Sequence, residues 1–212
     1  MVLVDDIEAA VGRAIQFLLA EQRPSGEFPS VAAFLGDDPD WEDDTLTFVT
    51  ALVTLALERV DDERALEMMR GARSFLERER EPGGQWRYWS HDHPRHDFTP
   101  PDADDTACAS MALERSGTST RENVPLLLAN RDRAGRFYTW LVLHRPWPRS
   151  PRVWWGLRRE LAGRRRRAEL WDTTEAEFDD VDGVVNANVV RYLGDDAPPA
   201  AAAYVAELVE QD

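Results

Sequence analysis

FLLAEQRPSGEF (17–28), FLEREREPGGQW (75–86) and LLANRDRAGRF (127–137) finish in the same way. Each closes a helix-like apolar run and then sets a glycine two residues before an aromatic, as Gly26/Phe28, Gly84/Trp86 and Gly135/Phe137. The glycines stand 58 and 51 residues apart, a spacing that marks repeated supersecondary units. A glycine just past a helix end suits a left-handed cap, and the aromatic two residues on can tuck against the finished helix. Each unit is followed by an acidic helix start: WEDDTLTFVTALVTLAL from Trp41, PDADDTACASMAL from Pro101 and DDVDGVVNANVVRYL from Asp179. Asp and Thr there accept free backbone N–H groups and complement the positive dipole end. The chain reads as helix, Gly-aromatic turn, loop and Asp-capped helix, three times over, with a final helix at 198–210. Strand signals are weak, and the pattern predicts an all-α curved array of helical hairpins.

Helical periodicity assigns faces to the Asp-capped set. Asp43, Thr47, Thr50 and Thr54 share one side of the first, and Leu46, Val49, Val53 and Leu57 another. Asp104 aligns with Cys108 and Met111, and Asp182 with Asn186 and Val189. These soft, weakly polar faces suit the wall of a cavity better than a solvated surface.

Composition narrows the function classes. The 212 residues carry 25 Lys+Arg, every one an arginine, against 40 Asp+Glu, for a net charge of −15. With 43% hydrophobic and 31% charged residues the chain can bury a core, and one domain spanning 1–212 is expected. No run of 18 apolar residues offers a membrane span, and MVLVDDIEAA lacks the basic-then-apolar start of a signal peptide, so a cytoplasmic protein is expected. Cys108 is alone, which excludes an internal disulfide and a structural zinc framework of cysteines. Acidity argues against nucleic acid as a partner.

The charge is uneven. Residues 145–167 hold nine arginines against Glu160 alone, a basic insertion that also carries Trp147, Trp154 and Trp155. Trp154, Leu157 and Leu161 fall at i, i+3 and i+7, an apolar stripe flanked by arginine. Trp154, Trp155, Arg158 and Arg159 are the candidates for contact with an anionic membrane or with an anion. Neutralisation of the protein's own carboxylates is the competing reading.

Residues 83–113, GGQWRYWSHDHPRHDFTPPDADDTACASMAL, carry the chemistry. This stretch resembles the class II terpene cyclases, in particular the squalene–hopene cyclase group. Their acid motif Asp-x-Asp-Asp-Thr-Ala stands here as Asp102-Ala103-Asp104-Asp105-Thr106-Ala107, with Pro101 before it and a Gly-x-Trp turn at Gly84-Gln85-Trp86. The resemblance is clear over residues 14–116 and continues through the remainder only as a degenerate repeat. It implies an α/α toroid of helical hairpin repeats, here a partial one, because seven or eight helices are counted where a closed toroid has about twelve. It also implies an isoprenoid substrate, no nucleotide cofactor, magnesium only if that substrate is a diphosphate, and a second toroid domain or a second copy of the chain to close the cavity. Cyclases of this family sit on one membrane leaflet, so peripheral attachment is implied as well.

Protonating an alkene or epoxide requires a carboxylic acid that keeps its proton at neutral pH. Burial and neighbouring carboxylates both raise an aspartate pKa, and three carboxylates within four residues meet the second condition. By the resemblance Asp104 is the general acid, and Asp102 and Asp105 hold its geometry and proton. Trp86, Trp89, Phe98, Tyr138 and Trp140 are candidates to face the carbocation, and Trp86, Trp89, Cys108, Met111, Asp43 and Asn186 are expected around the cavity.

Other readings of the same residues stand beside this one. Asp-Asp-Thr at a helix start is ordinary capping, and Glu42-Asp43-Asp44-Thr45 repeats the string. An α/α repeat could bind a lipid or protein without catalysis, and an α/α-toroid glycosidase would set Asp43 and Asp104 across a sugar bond. His91, His93 and His96 lie with Asp92 and Asp97 in one segment, where Pro94 and dense polarity indicate a loop and no metal is expected. The protein prenyltransferases, which share the toroid, bind zinc through an Asp-x-Cys pair that this sequence lacks.

Overall fold

The computed structural model describes residues 2–33, 41–144, 150–162, 170–172 and 174–211. In chain order these form α1 (Val2–Glu21), β1 (Ser30–Ala33), β2 (Trp41–Asp44), α2 (Thr47–Leu57), α3 (Glu63–Arg78), α4 (Ala103–Glu114), a 3-10 turn (Arg121–Asn123), α5 (Val124–Ala129), α6 (Pro151–Ala162), α7 (Gly183–Leu193), a second 3-10 turn (Gly194–Asp196) and α8 (Pro199–Gln211). The fold is all-α, an α/α array in which α4 packs between α2 and α7, while α3 backs α2 and α8 backs α7.

Sequence explains why α4 is the centre. Ten of its twelve residues are buried, and Ala103, Ala107, Ala109 and Ala112 are fully so. Small side chains let neighbouring helices approach, and a helix buried on every side has no polar face to spare. One apolar cluster runs through Ala51 and Leu55 of α2, Leu113 of α4 and Val185 and Val189 of α7. A smaller one joins Ile15 of α1, Phe28, and Met68 and Met69 of α3.

The Gly-aromatic turns hold the layers together through a repeated set of hydrogen bonds. Gly26, Gly84 and Gly135 have φ of 93°, 80° and 90°, the left-handed region that glycine tolerates. At Gly26 a Cβ would lie 2.1 Å from the carbonyl oxygen of Gly71 in α3, so the turn also needs the close approach. Each glycine N–H donates three residues back, to Arg23, Glu81 and Asp132. The following aromatic N–H then donates to a side chain in the first turns of an inner helix: Phe28 to Thr50 Oγ1 at 3.0 Å, Trp86 to Thr106 Oγ1 at 3.1 Å and Phe137 to Asn186 Oδ1 at 2.8 Å. Two residues further on, the chain reaches the preceding inner helix. Tyr88 O accepts from Thr47 N at 3.0 Å, and Thr139 O accepts from Ala103 N at 2.9 Å.

One expected helix start is replaced by a strand. Trp41–Asp44 does not begin a helix; it pairs antiparallel with β1, Ser30 opposite Asp44 and Ala33 opposite Trp41. The carboxylates are committed elsewhere. Asp43 pairs with Arg23 at 3.3 Å, and Asp44 meets His93 Nε2 at 3.0 Å and accepts from Trp89 Nε1 at 3.3 Å. Helix α2 begins after Leu46 with no side-chain cap, the N–H of Thr47 being taken by Tyr88. At α4 and α7 the expected caps are present, formed by Asp102 and Asp182.

The third turn is separated from its inner helix by the basic insertion. From Asp132 to Asp182 is 50 residues, against 21 from Glu81 to Asp102. Helix α6 lies in this excess and turns Val153, Leu157 and Glu160 inward, each buried. The expected stripe of Trp154, Leu157 and Leu161 is therefore split: Leu157 joins the core, and Trp154 faces out. The side chain of Leu161, residues 145–149 and residues 163–169 lie outside what the structure describes. Among the described residues no helix is long and apolar enough to cross a membrane.

The turn-to-helix bond is testable. Thr106→Val keeps the shape but leaves the buried Trp86 N–H without its acceptor, and urea unfolding should show a loss of about 1–3 kcal/mol. Thr118→Val, which removes only a surface bond to Glu77, should change stability by less than about 0.5 kcal/mol.

A candidate acid site at the start of the central helix

The first turn of α4 is pinned from both sides. Asp102 N donates to Trp86 O at 3.1 Å, and Pro101 O accepts from Leu141 N at 2.8 Å. Two flanking segments thus close around residues 101–103, and the three motif aspartates enter different surroundings.

Asp102 is the N-cap, in extended conformation, and its Oδ1 accepts from the N–H of Asp104 at 2.6 Å and of Asp105 at 3.3 Å. Asp104 reaches across to α7, where Asn188 Nδ2 donates to its Oδ1 at 2.7 Å; it stays partly exposed. Asp105 is 2% exposed, and its Oδ2 has no hydrogen-bond partner among the described residues.

Burial is the first cause of a raised pKa in all three. It lifts Asp102 to about 7, with the Asp104 charge adding and the two backbone N–H bonds opposing. Asp105 is held well above the ordinary carboxyl range, burial being reinforced by Asp102 and Asp104. For Asp104 the amide of Asn188 pulls down and the charge of Asp182 pushes up. Asp102 accepts two N–H donors and Asp104 one, each favouring the ionised form, whereas Asp105 is enclosed, so Asp105 is the carboxyl best placed to retain a proton. Cys108, next along the helix, has its thiol pushed up by burial and then by these aspartates.

The other residues expected around a cavity separate. Trp86 is fully buried and its Nε1 donates to Leu76 O at 2.7 Å. Cys108 and Met111 belong to the main core cluster. Asn186 is fully buried, accepting from Phe137 N and donating to Phe137 O at 3.0 Å and Asp182 O at 2.8 Å. With no surface exposed to solvent, Trp86, Cys108 and Asn186 serve packing and turn anchoring in this arrangement. Asp43 stands on β2 with a side chain 78% exposed, away from the helix face it was expected to share with Thr47.

Two aromatic groups come from the segments before and after the motif in the sequence. Trp89 stacks on His93 at 5.5 Å and meets Phe98 edge-on. Trp140, whose backbone pairs with Asp102, meets Trp171 edge-on, and Trp171 meets Phe178. Phe178 in turn touches His144, which stacks on Tyr138 at 3.9 Å. Asn188, Trp171, Phe178 and His144 had not been singled out from the sequence. Asn188 had a signal in the Asn-Ala-Asn of α7, where the first Asn anchors the turn and the second faces α4.

A cavity of about 480 Å³ is lined by Glu81, Gln85, Val153, Trp155, Arg158 and Glu160 among others, and one of about 320 Å³ by Arg23, Phe75, Glu79 and His93 among others. Neither is lined by a motif aspartate. Trp154 and Trp155 are 40% and 60% exposed, and the Arg158 guanidinium lies 3.4 Å over the Trp155 ring. The side chain of Arg159 is outside the described residues.

No family model matches the sequence, and no curated protein matches it. Solved structures do. The type II terpene cyclase MstE from Scytonema, in its apo form, is 17% identical with a TM-score of 0.52, covering 97% of this chain and 64% of its own. A variant of MstE in complex with the substrate geranylgeranyl dihydroxybenzoate is 16% identical, TM-score 0.52, covering 97% and 63%. A variant in complex with the product merosterolic acid A is 16% identical, TM-score 0.52, covering 97% and 64%. The chain therefore has a class II terpene cyclase-like fold, and it spans less than two thirds of the length of these neighbours.

The raised carboxyl pKa values set a pH dependence. The native state holds protons that the unfolded chain releases at ordinary pKa, so this contribution to stability is complete below about pH 4 and is lost as pH rises towards 7. Asp105→Asn should flatten that decline and raise Tm at pH 7.5 by about 2–4 °C, the equivalent of about 1 kcal/mol. An unchanged slope in a thermal-melt series from pH 5 to 7.5 would place the protons elsewhere.

Proposed function

We propose that this chain is the acid-bearing part of a class II terpene cyclase of the squalene–hopene cyclase type, and that it starts polyene cyclisation by protonation. The observation that carries the reading is the position of three aspartates, Asp105 buried and Asp102 and Asp104 partly so, at the start of the central helix of a terpene cyclase-like fold. Asp104, partly exposed and oriented by Asn188, transfers its proton to the terminal carbon of an alkene or to an epoxide oxygen. The carbocation so formed is attacked by the next double bond, and loss of a proton ends the sequence with no net change in composition. Asp105 keeps the group protonated and Asp102 holds the first turn. Trp89, Phe98 and Trp140 are the aromatic faces offered to a passing cation.

The site is completed by a second toroid domain or a second copy of the chain, in keeping with the share of the MstE structures that this chain spans. A polyprenyl or triterpene-type molecule is the substrate. MstE's own substrate, geranylgeranyl dihydroxybenzoate, is the probe of choice. In D₂O the cyclised product should gain one deuterium and otherwise keep the substrate's mass, and Asp104→Asn should lower turnover at least about 100-fold. Full turnover by Asp104→Asn, read by liquid chromatography and mass spectrometry, overturns this assignment.

A non-catalytic reading has one observation in its favour, the capping of α4 by Asp102. It requires that the wild-type protein bind the polyprenyl probe without converting it.

The basic insertion is, in this proposal, the face that meets an anionic membrane. Trp154 and Trp155 are outward-facing, and each nearby arginine adds about 1 kcal/mol of attraction. Co-sedimentation with phosphatidylserine vesicles should fall at least tenfold between 0.1 and 0.5 M NaCl and fall again in Trp155→Ala. Binding that neither salt nor the substitution alters removes this segment from the interface.

A further inference from the structure

The second Gly-aromatic turn begins at Glu81, one residue after the segment that ends α3, and the loop that leaves it carries His91 and His96. Successive turns, with Ser90 O accepting from His93 N at 3.1 Å and His93 O from His96 N at 2.9 Å, coil that loop until the two imidazoles face each other with centroids 4.8 Å apart. Both then address one buried carboxylate. Glu81 Oε1 lies 3.3 Å from His96 Nε2 and 3.7 Å from His91 Nε2, and its side chain is 3% exposed. Among the described residues, Glu81, His91 and His96 form a group whose ligand atoms all lie within 4.8 Å of one another.

We propose that Glu81, His91 and His96 bind a divalent transition-metal ion, with zinc as the best fit. Three observations carry this. The first is spacing, since four ligands at about 2.0–2.1 Å around a tetrahedral zinc are about 3.3–3.4 Å apart, close to the two Glu81 distances. The second is orientation. A metal-bound imidazole has its other nitrogen engaged by a carbonyl or carboxylate. His96 Nδ1 lies 3.0 Å from Trp89 O, and His91 Nδ1 lies 3.2 Å from Glu79 Oε2, so each ring presents Nε2. The third is support of the carboxylate. Arg87 pairs with Glu81 at 3.2 Å in a buried contact, and a ligating carboxylate is itself held by hydrogen bonds from its surroundings. His91 is 39% exposed in its side chain, which leaves an entry path and room for water as fourth ligand. Two imidazoles and one carboxylate are a donor set suited to zinc and disfavour magnesium.

His93 is excluded by the same geometry, because its Nε2 is given to Asp44 and its ring to Trp89. The metal would clamp the 90–99 loop onto the turn that opens the second repeat, leaving residue 102 to follow shortly after. This site is independent of the cyclase reading and stands or falls without it.

Tag-free protein stripped with EDTA and exchanged into chelator-free buffer is titrated with zinc chloride, followed by calorimetry and native mass spectrometry. One zinc per chain is expected, with at least tenfold weaker binding in both His91→Gln and His96→Gln, unchanged binding in His93→Gln, and a cobalt-loaded form with the intense visible bands of tetrahedral coordination. Glu79→Gln should weaken binding about tenfold, as the loss of an outer partner does. Circular dichroism of each variant separates loss of ligand from loss of fold, and His91→Gln, at an exposed position, is the variant expected to fold normally. Absence of stoichiometric zinc binding by the wild type, or equal affinity in folded His91→Gln, overturns the proposal.

Discussion

The N–H of one aromatic residue in each turn, donated to a side chain on the next inner helix, is the constraint on which the array depends. Phe28, Trp86 and Phe137 occupy equivalent places, and Thr50, Thr106 and Asn186 receive them. The receiving residue lies four positions after the residue that precedes each helix: Leu46, Asp102 and Asp182. A buried N–H without a partner is costly, so a helix displaced by one residue would forfeit the bond and bury an orphan donor. Carbonyls of Tyr88 and Thr139 then tie each post-turn segment back to the preceding inner helix. Register is set within a repeat and between repeats by neighbouring atoms of the same short strand.

That stitching produces the electrostatics of the acid motif. Helix α4 has an inner neighbour on either side and a post-turn segment on either side of its first turn. Its opening carboxyl groups are therefore withdrawn from water, Asp105 wholly and Asp102 and Asp104 in part. Three carboxylates in such a place cannot all ionise cheaply, and the N-terminal dipole and the cap bonds of Asp102 offset only part of that cost. The related string Glu42-Asp43-Asp44-Thr45 lies on β2 and just after it. There Asp43 is exposed to solvent beside Arg23, and Asp44 is used by Trp89 and His93. Similar local chemistry thus has two outcomes, decided by what packs around each string.

Much of the architecture was legible in the sequence. The three Gly-aromatic pairs, the caps at Asp102 and Asp182 and the closing helix all stand where pattern and capping chemistry placed them. The site was less legible. Aligning each helix face on its capping residue picked out Thr50 and Asn186, and that face points at the turn of the outer layer, where polar atoms anchor backbone. Asn188, which lies two residues on and reaches Asp104, is on a face the capping residue does not mark. The histidine segment was recognised as a loop from Pro94 and its polarity. Two of its imidazoles meet Glu81 only because the loop coils back over the turn, a juxtaposition that spacing along the chain does not encode.

By itself the sequence determined the repeat, the chirality of its glycine turns, the helices that follow them and the concentration of arginine in one segment, because each depends on backbone preference or on composition over a few residues. Only the tertiary structure decided which aspartates are buried, which asparagine meets Asp104, that Leu157 is buried while Trp155 is exposed, and that Glu81 meets two imidazoles. Those outcomes depend on what packs against a residue from distant parts of the chain, and burial and electric field are properties of that surrounding rather than of the residue.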